Sequence, residues 1–156
     1  MLEKIISGGQ TGADQGALDG AISCGFPYGG TIPAGRKTET GILPRSYKMH
    51  ELNSSHYADR TEQNVRDGDA TLILSNGPLT GGSALTEKIA RRLDKPCLHV
   101  DFSNSDPDRA TAVVSAWIER FSIQTLNVAG PRGSSDPRIY NLTRDLIISL
   151  IEGQNH

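Results

Sequence analysis

Two glycine-rich stretches and three arginines are the residues of this chain best suited to chemistry. Ser7-Gly8-Gly9-Gln10-Thr11-Gly12-Ala13-Asp14 follows the apolar run Lys4-Ile5-Ile6 and leads into a helical pattern. Asn76-Gly77-Pro78-Leu79-Thr80-Gly81-Gly82-Ser83 repeats that arrangement after Thr71-Leu72-Ile73-Leu74. A Gly-rich turn between a strand and a helix lets backbone N–H groups approach an anion, and the helix N-terminus adds a positive dipole. The candidate phosphate-binding residues are therefore Gly8, Gly9, Gln10, Thr11 and Gly12 in the first loop. In the second they are Gly81, Gly82 and Ser83, with Thr86 as a hydroxyl partner. The loops depart from the common fingerprints. No Gly-Lys-Ser/Thr occurs, which excludes a Walker A loop, and the dinucleotide motif G-x-G-x-x-G would need glycine where Ser7 stands. No acidic residue ends a clear second strand to hold a ribose, so NAD as a redox cofactor is disfavoured while a nucleotide stays open.

Charge for such a site can come from Arg36, Arg60 and Arg132, each on or beside a Gly- or Pro-bearing loop or a helix start. A guanidinium presents a planar fork that matches phosphate oxygens two at a time. Asn64 lies four residues after Arg60 and shares its helix face. Asp14 is open to two readings, contact with a ligand hydroxyl or metal and a favourable place in the first turn of its helix. Glu87 reads as a solvated helix residue. His50, His56 and His99 have no ligand spacing and no nucleophile partner, and His99 reads as a hydrogen-bonded sheet residue. No catalytic triad is visible, so the catalytic residues stay unknown. Cys24 and Cys97 lack zinc spacing and read as small buried hydrophobes; no metal site is expected.

These residues need elements to hold them. The chain has 156 residues, enough for one domain, and a net charge of −2 gives no electrostatic case for nucleic acid or a membrane surface. The opening Met-Leu-Glu-Lys-Ile-Ile is too short and too charged for a signal peptide, and no apolar run approaches bilayer length. The expectation is a cytoplasmic protein with reduced thiols. Short branched apolar runs predict strands at 4–7, 70–75, 97–102 and 125–129. Helical spacing links Ala13, Ala17, Leu18, Ala21 and Ile22; Leu85, Ile89, Ala90 and Leu93; Val113, Val114, Trp117, Ile118 and Phe121; and Ile139, Leu142, Leu146, Ile147, Leu150 and Ile151. Asp106-Pro107 and Asp136-Pro137 both read as an N-cap followed by proline at the first helical position. A further helix is predicted over 60–68. Residues 25–59 are less regular and predict one or two short strands plus loops. Strand and helix in alternation predict an α/β fold: a doubly wound, mainly parallel sheet with helices on both faces, in a single domain spanning 1–156.

Six segments in order resemble one family: Gly8-Gly9-Gln10-Thr11-Gly12-Ala13-Asp14, Pro33-Ala34-Gly35-Arg36, Arg60-Thr61-Glu62-Gln63-Asn64-Val65, Thr71-Leu72-Ile73, Gly81-Gly82-Ser83-Ala84-Leu85-Thr86 and Asn127-Val128-Ala129-Gly130-Pro131-Arg132. Together they resemble the family named putative molybdenum carriers, which lies in the Rossmann-like SLOG superfamily. That group also holds DNA-processing protein A and the Lonely Guy phosphoribohydrolases, also called lysine-decarboxylase-like proteins. The resemblance implies a Rossmann-like fold, a nucleotide-type site between the two glycine loops, and a homo-oligomer (dimer or tetramer). It also implies a ligand that is molybdenum cofactor, a pterin bearing a phosphate, or a nucleotide. Arg60 stands where the phosphoribohydrolases carry an arginine. Leu85 and Thr86 stand where those enzymes keep glutamates, and Glu87 is one residue out of register. Cleavage of an N-glycosidic bond passes through a cationic sugar that a carboxylate would stabilise.

The expectation is a binding or carrier protein for a phosphorylated small molecule, with no nucleic-acid or membrane partner. The alternatives are a phosphoribohydrolase-like enzyme acting on nucleoside monophosphates and a nucleotide-sensing module.

Overall fold

The computed structural model describes residues 1–155. A five-stranded parallel sheet forms its centre. In chain order its strands are β1 (Lys4–Ile6), β2 (Tyr28–Gly29), β7 (Ala70–Ser75), β8 (Cys97–Asp101) and β9 (Thr125–Ala129). Their order across the sheet is β2-β1-β9-β7-β8, and every neighbouring pair is parallel. The chain winds outward from β1 to β2 and, in the other direction, from β7 to β8. β9 fills the gap between the two halves, so the carboxyl ends of β1, β9 and β7 surround the point where the winding reverses. Crevices at that point are where open α/β sheets hold ligands.

The helices are α1 (Ala13–Ser23), α2 (Tyr57–Asp67), α3 (Gly81–Arg92), α4 (Pro107–Arg120) and α5 (Ile139–Gln154). α1, α4 and α5 cover one face with the larger apolar core, which takes Leu72, Leu74, Leu126 and Val128 from the strands. Each buried leucine of this kind stabilises the fold by about 1.5–3 kcal/mol. α2 and α3 cover the other face, where Val65, Ile89 and Ala90 form a smaller cluster. The pleat turns alternate residues to opposite faces. Thr71 and Asn127 therefore lie on the α2 side, where the Asn127 amide donates to the Thr71 hydroxyl at 3.2 Å.

α1 packs on α5 through glycine. A Cβ placed on Gly16 would stand 2.5 Å from the Tyr140 carbonyl oxygen, and one on Gly20 would stand 2.9 Å from that of Arg144. The two helix backbones touch where any side chain would separate them. The Asp106 cap forms as expected, its carboxylate accepting the Arg109 N–H at the start of α4. The matching signature at Asp136-Pro137 does not start α5. The helix begins at Ile139, and Asp136 instead takes the Arg138 N–H at 3.1 Å and the Asn76 amide at 2.6 Å. α2 begins at Tyr57, three residues before the predicted helix, and strands β1 and β8 each stop one residue early.

The 25–59 region holds more strand than its sequence predicts, in very short pieces. Beyond β2 come β3 (Thr31–Ile32), β4 (Lys37–Thr38), β5 (Gly41–Ile42) and β6 (His50–Glu51). β3 pairs with β6 and β4 with β5, outside the main sheet. No helix among the described residues is long and apolar enough to cross a membrane.

Candidate functional site

A cleft of about 390 Å³ opens at the carboxyl ends of β1, β9 and β7. Its floor is β9 from Asn127 onward, one wall is the first loop with α2, and the other is the N-terminus of α3. The volume lies within the range of small-ligand pockets, roughly 300–1,000 Å³. Of the residues singled out in the sequence, Gly8, Gln10, Asp14, Arg60, Asn64, Gly81, Gly82, Ser83, Thr86 and Arg132 line it. Gly9, Thr11, Gly12 and Arg36 do not.

The first glycine loop is not an open cradle of amides. The Gly9 N–H donates to the Ser7 hydroxyl at 3.4 Å, the Gln10 N–H to the Asp14 carboxylate at 3.2 Å, and the Thr11 N–H to the Gln10 amide oxygen at 3.1 Å. The glycines serve close approach instead. A Cβ on Gly8 would fall 1.8 Å from the Arg60 guanidinium, and one on Gly12 would fall 2.5 Å from the Pro131 carbonyl oxygen. Gly9 is packed against Ile32 and Leu43. Thr11 accepts the Gly133 N–H at 3.0 Å and so ties the first loop to the loop after β9.

The loop therefore presents Arg60 and Asp14. The Arg60 guanidinium donates to the Asp14 carboxylate at 2.8 Å, and both side chains are nearly buried, 12 % and 7 % exposed. Burial pushes the Asp14 carboxyl above its ordinary value, against the pull of the Arg60 charge and the Gln10 N–H. The Arg60 Nε and the Gln10 amide nitrogen are buried with no hydrogen-bond partner. Orphaned donors of this kind cost stability and call for an acceptor.

Three cations gather beside this wall. Lys37, Arg60 and Arg132 each stand over the Tyr57 ring, 5.3, 5.5 and 5.6 Å from its centroid. Asp14 partners Arg60, and Glu39 reaches the Arg132 Nε at 3.6 Å while accepting the Ser134 N–H and hydroxyl. Tyr57 lies beside the cleft and outside its lining; the gathering of cations on its ring depends on where three separate segments meet, so nothing in the sequence marks it. Asn127 was likewise missed: it lies inside a strand, where a polar residue 3 % exposed has meaning only once the cleft above it is known.

The opposite wall keeps its expected character. Thr80 caps α3 through its backbone alone, Gly81 adopts φ +51°, and a Cβ on Gly82 would meet nothing within 4 Å. The intrahelical bonds to Thr80 begin at Ser83, so the Gly81 and Gly82 N–H groups carry the positive end of the helix dipole into the cleft. The Thr86 hydroxyl donates to the Gly82 carbonyl at 2.8 Å and steadies this turn.

Arg36 is a correction to the sequence reading, and the Asn64 side chain is likewise engaged by backbone groups. Arg36 is 6 % exposed, and its guanidinium donates to the carbonyls of Leu43, Pro44 and Tyr47. It pins the 36–47 segment and faces away from the cleft, and those bonds hold it at φ +57° despite its side chain. The Asn64 amide is engaged twice by the Thr31 backbone, at 2.8 and 2.9 Å, so it anchors β3. Glu87 pairs with Arg91 on the flank of α3 and does not reach the cleft. His99 bonds the Ser75 hydroxyl at 2.6 Å, as a sheet residue should. That hydroxyl donates its one proton to the Gly77 carbonyl, so His99 must be the donor, and the pair is no nucleophile and base. Among the described residues no three His, Cys, Asp or Glu side chains group to hold a metal ion. Burial pushes the Cys97 thiol up to about 11, which leaves it unreactive.

Residues 5–151 match the family described as circularly permutated YpsA SLOG. A crystal structure from Syntrophus aciditrophicus SB, called "putative molybdenum carrier protein", superposes with a TM-score of 0.94. The two sequences are 49 % identical, over 96 % of this chain and 95 % of that one. No curated protein matches.

Proposed function

The chain belongs to the circularly permutated YpsA SLOG family, and from that premise we propose that it is a binding or carrier protein for a small molecule bearing a phosphate. The observation that carries this reading is the pairing of two unlike walls across one cleft. On one side are the Gly81 and Gly82 amides at the α3 N-terminus; on the other are Arg60 and Arg132. An anion between them is held by fixed dipoles and by planar cationic donors at once.

The name carried by the Syntrophus relative points to a molybdenum-related cargo; molybdenum cofactor is the phosphorylated form of such a cargo, and a nucleotide offers the same phosphate chemistry. The residues present fit the phosphate and the polar ring of such a molecule. Among the described residues no three His, Cys, Asp or Glu side chains group to ligate the metal itself, so the cofactor would be gripped through its organic part.

One observation favours a second reading. The Asp14 carboxylate lies at the cleft wall, raised by burial and touching Arg60. A carboxyl whose protonated form is favoured is suited to giving its proton to the departing base during N-glycoside cleavage. Release of free base from a nucleoside monophosphate, abolished by Asp14→Asn, would establish it.

Thermal shift and calorimetric titration with ribose 5-phosphate, AMP, molybdate and molybdenum cofactor test the primary reading. At about 100 times Kd a ligand adds about 2.7 kcal/mol to stability, which raises Tm by roughly 5–10 °C for a chain of this size. Binding of the phosphorylated ligands supports the proposal. A flat response to all four overturns it.

A further inference from the structure

Beside the main cleft lies a side pocket of about 100 Å³. Thr80, Ser83, Pro131 and Ser135 line both spaces, so the α3 N-terminus and the loop after β9 form their shared wall. The far wall of the side pocket is Asn76 and Asp136. These residues are sixty positions apart and joined by the Asn76 amide donating to the Asp136 carboxylate at 2.6 Å. The chemistry here is opposite to that of the cleft. Asp136 is an acceptor only, with its side chain 13 % exposed. One Asn76 amide proton is already committed to it, which leaves the Asn76 carbonyl oxygen as a second acceptor. The Ser75 hydroxyl has given its proton to Gly77. The exposed Arg138 approaches Asp136 at 3.6 Å, and its backbone N–H bonds the same carboxylate oxygen at 3.1 Å. The oxygen facing Asn76 therefore keeps a free lone pair.

A carboxylate repels a phosphate, so the anion must stay at the cleft side of Thr80 and Ser83. What the side pocket accepts is a group rich in N–H donors, attached to that anion by a short linker. We propose that Asp136 and Asn76 read the edge of the ligand's ring, and that this ring is a 2-amino-4-oxopyrimidine of the kind guanine and pterins share. Such an edge carries a ring N–H and an exocyclic amino group side by side, both donors. Adenine presents an acceptor nitrogen beside its amino group and would set lone pair against lone pair at Asp136. Hypoxanthine keeps the ring N–H but lacks the 2-amino group.

This inference rests on the phosphate reading above and sharpens it to a ligand class. The test is titration of the full chain with GMP, IMP, AMP and ribose 5-phosphate, on the native protein and on Asp136→Asn. A hydrogen bond to a charged acceptor changes affinity about 10- to 100-fold. The expected order is GMP tighter than IMP by that factor, with AMP weaker than IMP. Asp136→Asn should cancel the preference for GMP while ribose 5-phosphate binds as before. The GMP to IMP ratio on the native protein stands even if the variant folds poorly. Equal affinities for GMP, IMP and AMP, with ribose 5-phosphate bound, overturn the ring assignment and leave the phosphate reading intact. Failure of all four to bind overturns both.

Discussion

Gly82→Asp separates binding from folding with one substitution. The native glycine offers the new side chain open space, with nothing within 4 Å of its Cβ. Its place in the first turn of α3 is one where a carboxylate is welcome to the helix, by about 0.3–1 kcal/mol. Replacing glycine in a helix gains a few tenths of a kcal/mol more. The fold should therefore be unchanged or slightly more stable. Binding should collapse, because the new charge sits where the proposed phosphate does. Two unit charges about 4 Å apart at an effective dielectric of about 20 repel by about 4 kcal/mol, close to a thousandfold in Kd. Calorimetric titration with a phosphorylated ligand reads the second effect and a urea melt the first. A stable Gly82→Asp protein that binds within threefold of the native one would refute the placement of the anion at this helix.

Arg60→Ala strands the Asp14 carboxylate in a buried site and should cost about 3–5 kcal/mol. The loss should depend on pH. Asp14 already sits above 3.8 in the folded chain through burial, and losing Arg60 raises it further. The folded state then binds more protons than the unfolded one from pH 3.8 up to that raised value, so the variant should lose stability as pH rises through this window, seen as a falling urea midpoint. Gly16→Ala should destabilise by about 1–3 kcal/mol despite alanine's helix preference, because its Cβ meets the Tyr140 carbonyl oxygen at 2.5 Å; an unchanged urea midpoint would remove the close-packing argument. Arg36→Ala leaves the Leu43, Pro44 and Tyr47 carbonyls without their donor. It should speed hydrogen exchange across residues 36–47 and leave ligand affinity unaltered, whereas a loss of affinity would return Arg36 to the site.

The sequence by itself determined the parallel sheet, the helices that alternate with it, and the end of the sheet where a ligand would sit. Periodicity is a local property: Thr71-Leu72-Ile73-Leu74 is apolar on both faces wherever the strand is placed, and the Leu146 and Ile147 stripe must turn inward. The second glycine loop was legible for the same reason, since its amides belong to the helix that follows immediately. The rest depended on partners far along the chain. Gly8 is a glycine because Arg60 lies on it, and Gly16 because α5 does. Arg36 reads from sequence as a free cation, yet chain closure surrounds it with three carbonyls and turns it into a staple. Asn64 is taken up by Thr31, while Tyr57 and Asp136 gain their roles from segments that reach them only in three dimensions. The type of a polar side chain states what it can bond. Which bonds it has left for a ligand is decided only when the folded backbone has claimed the others.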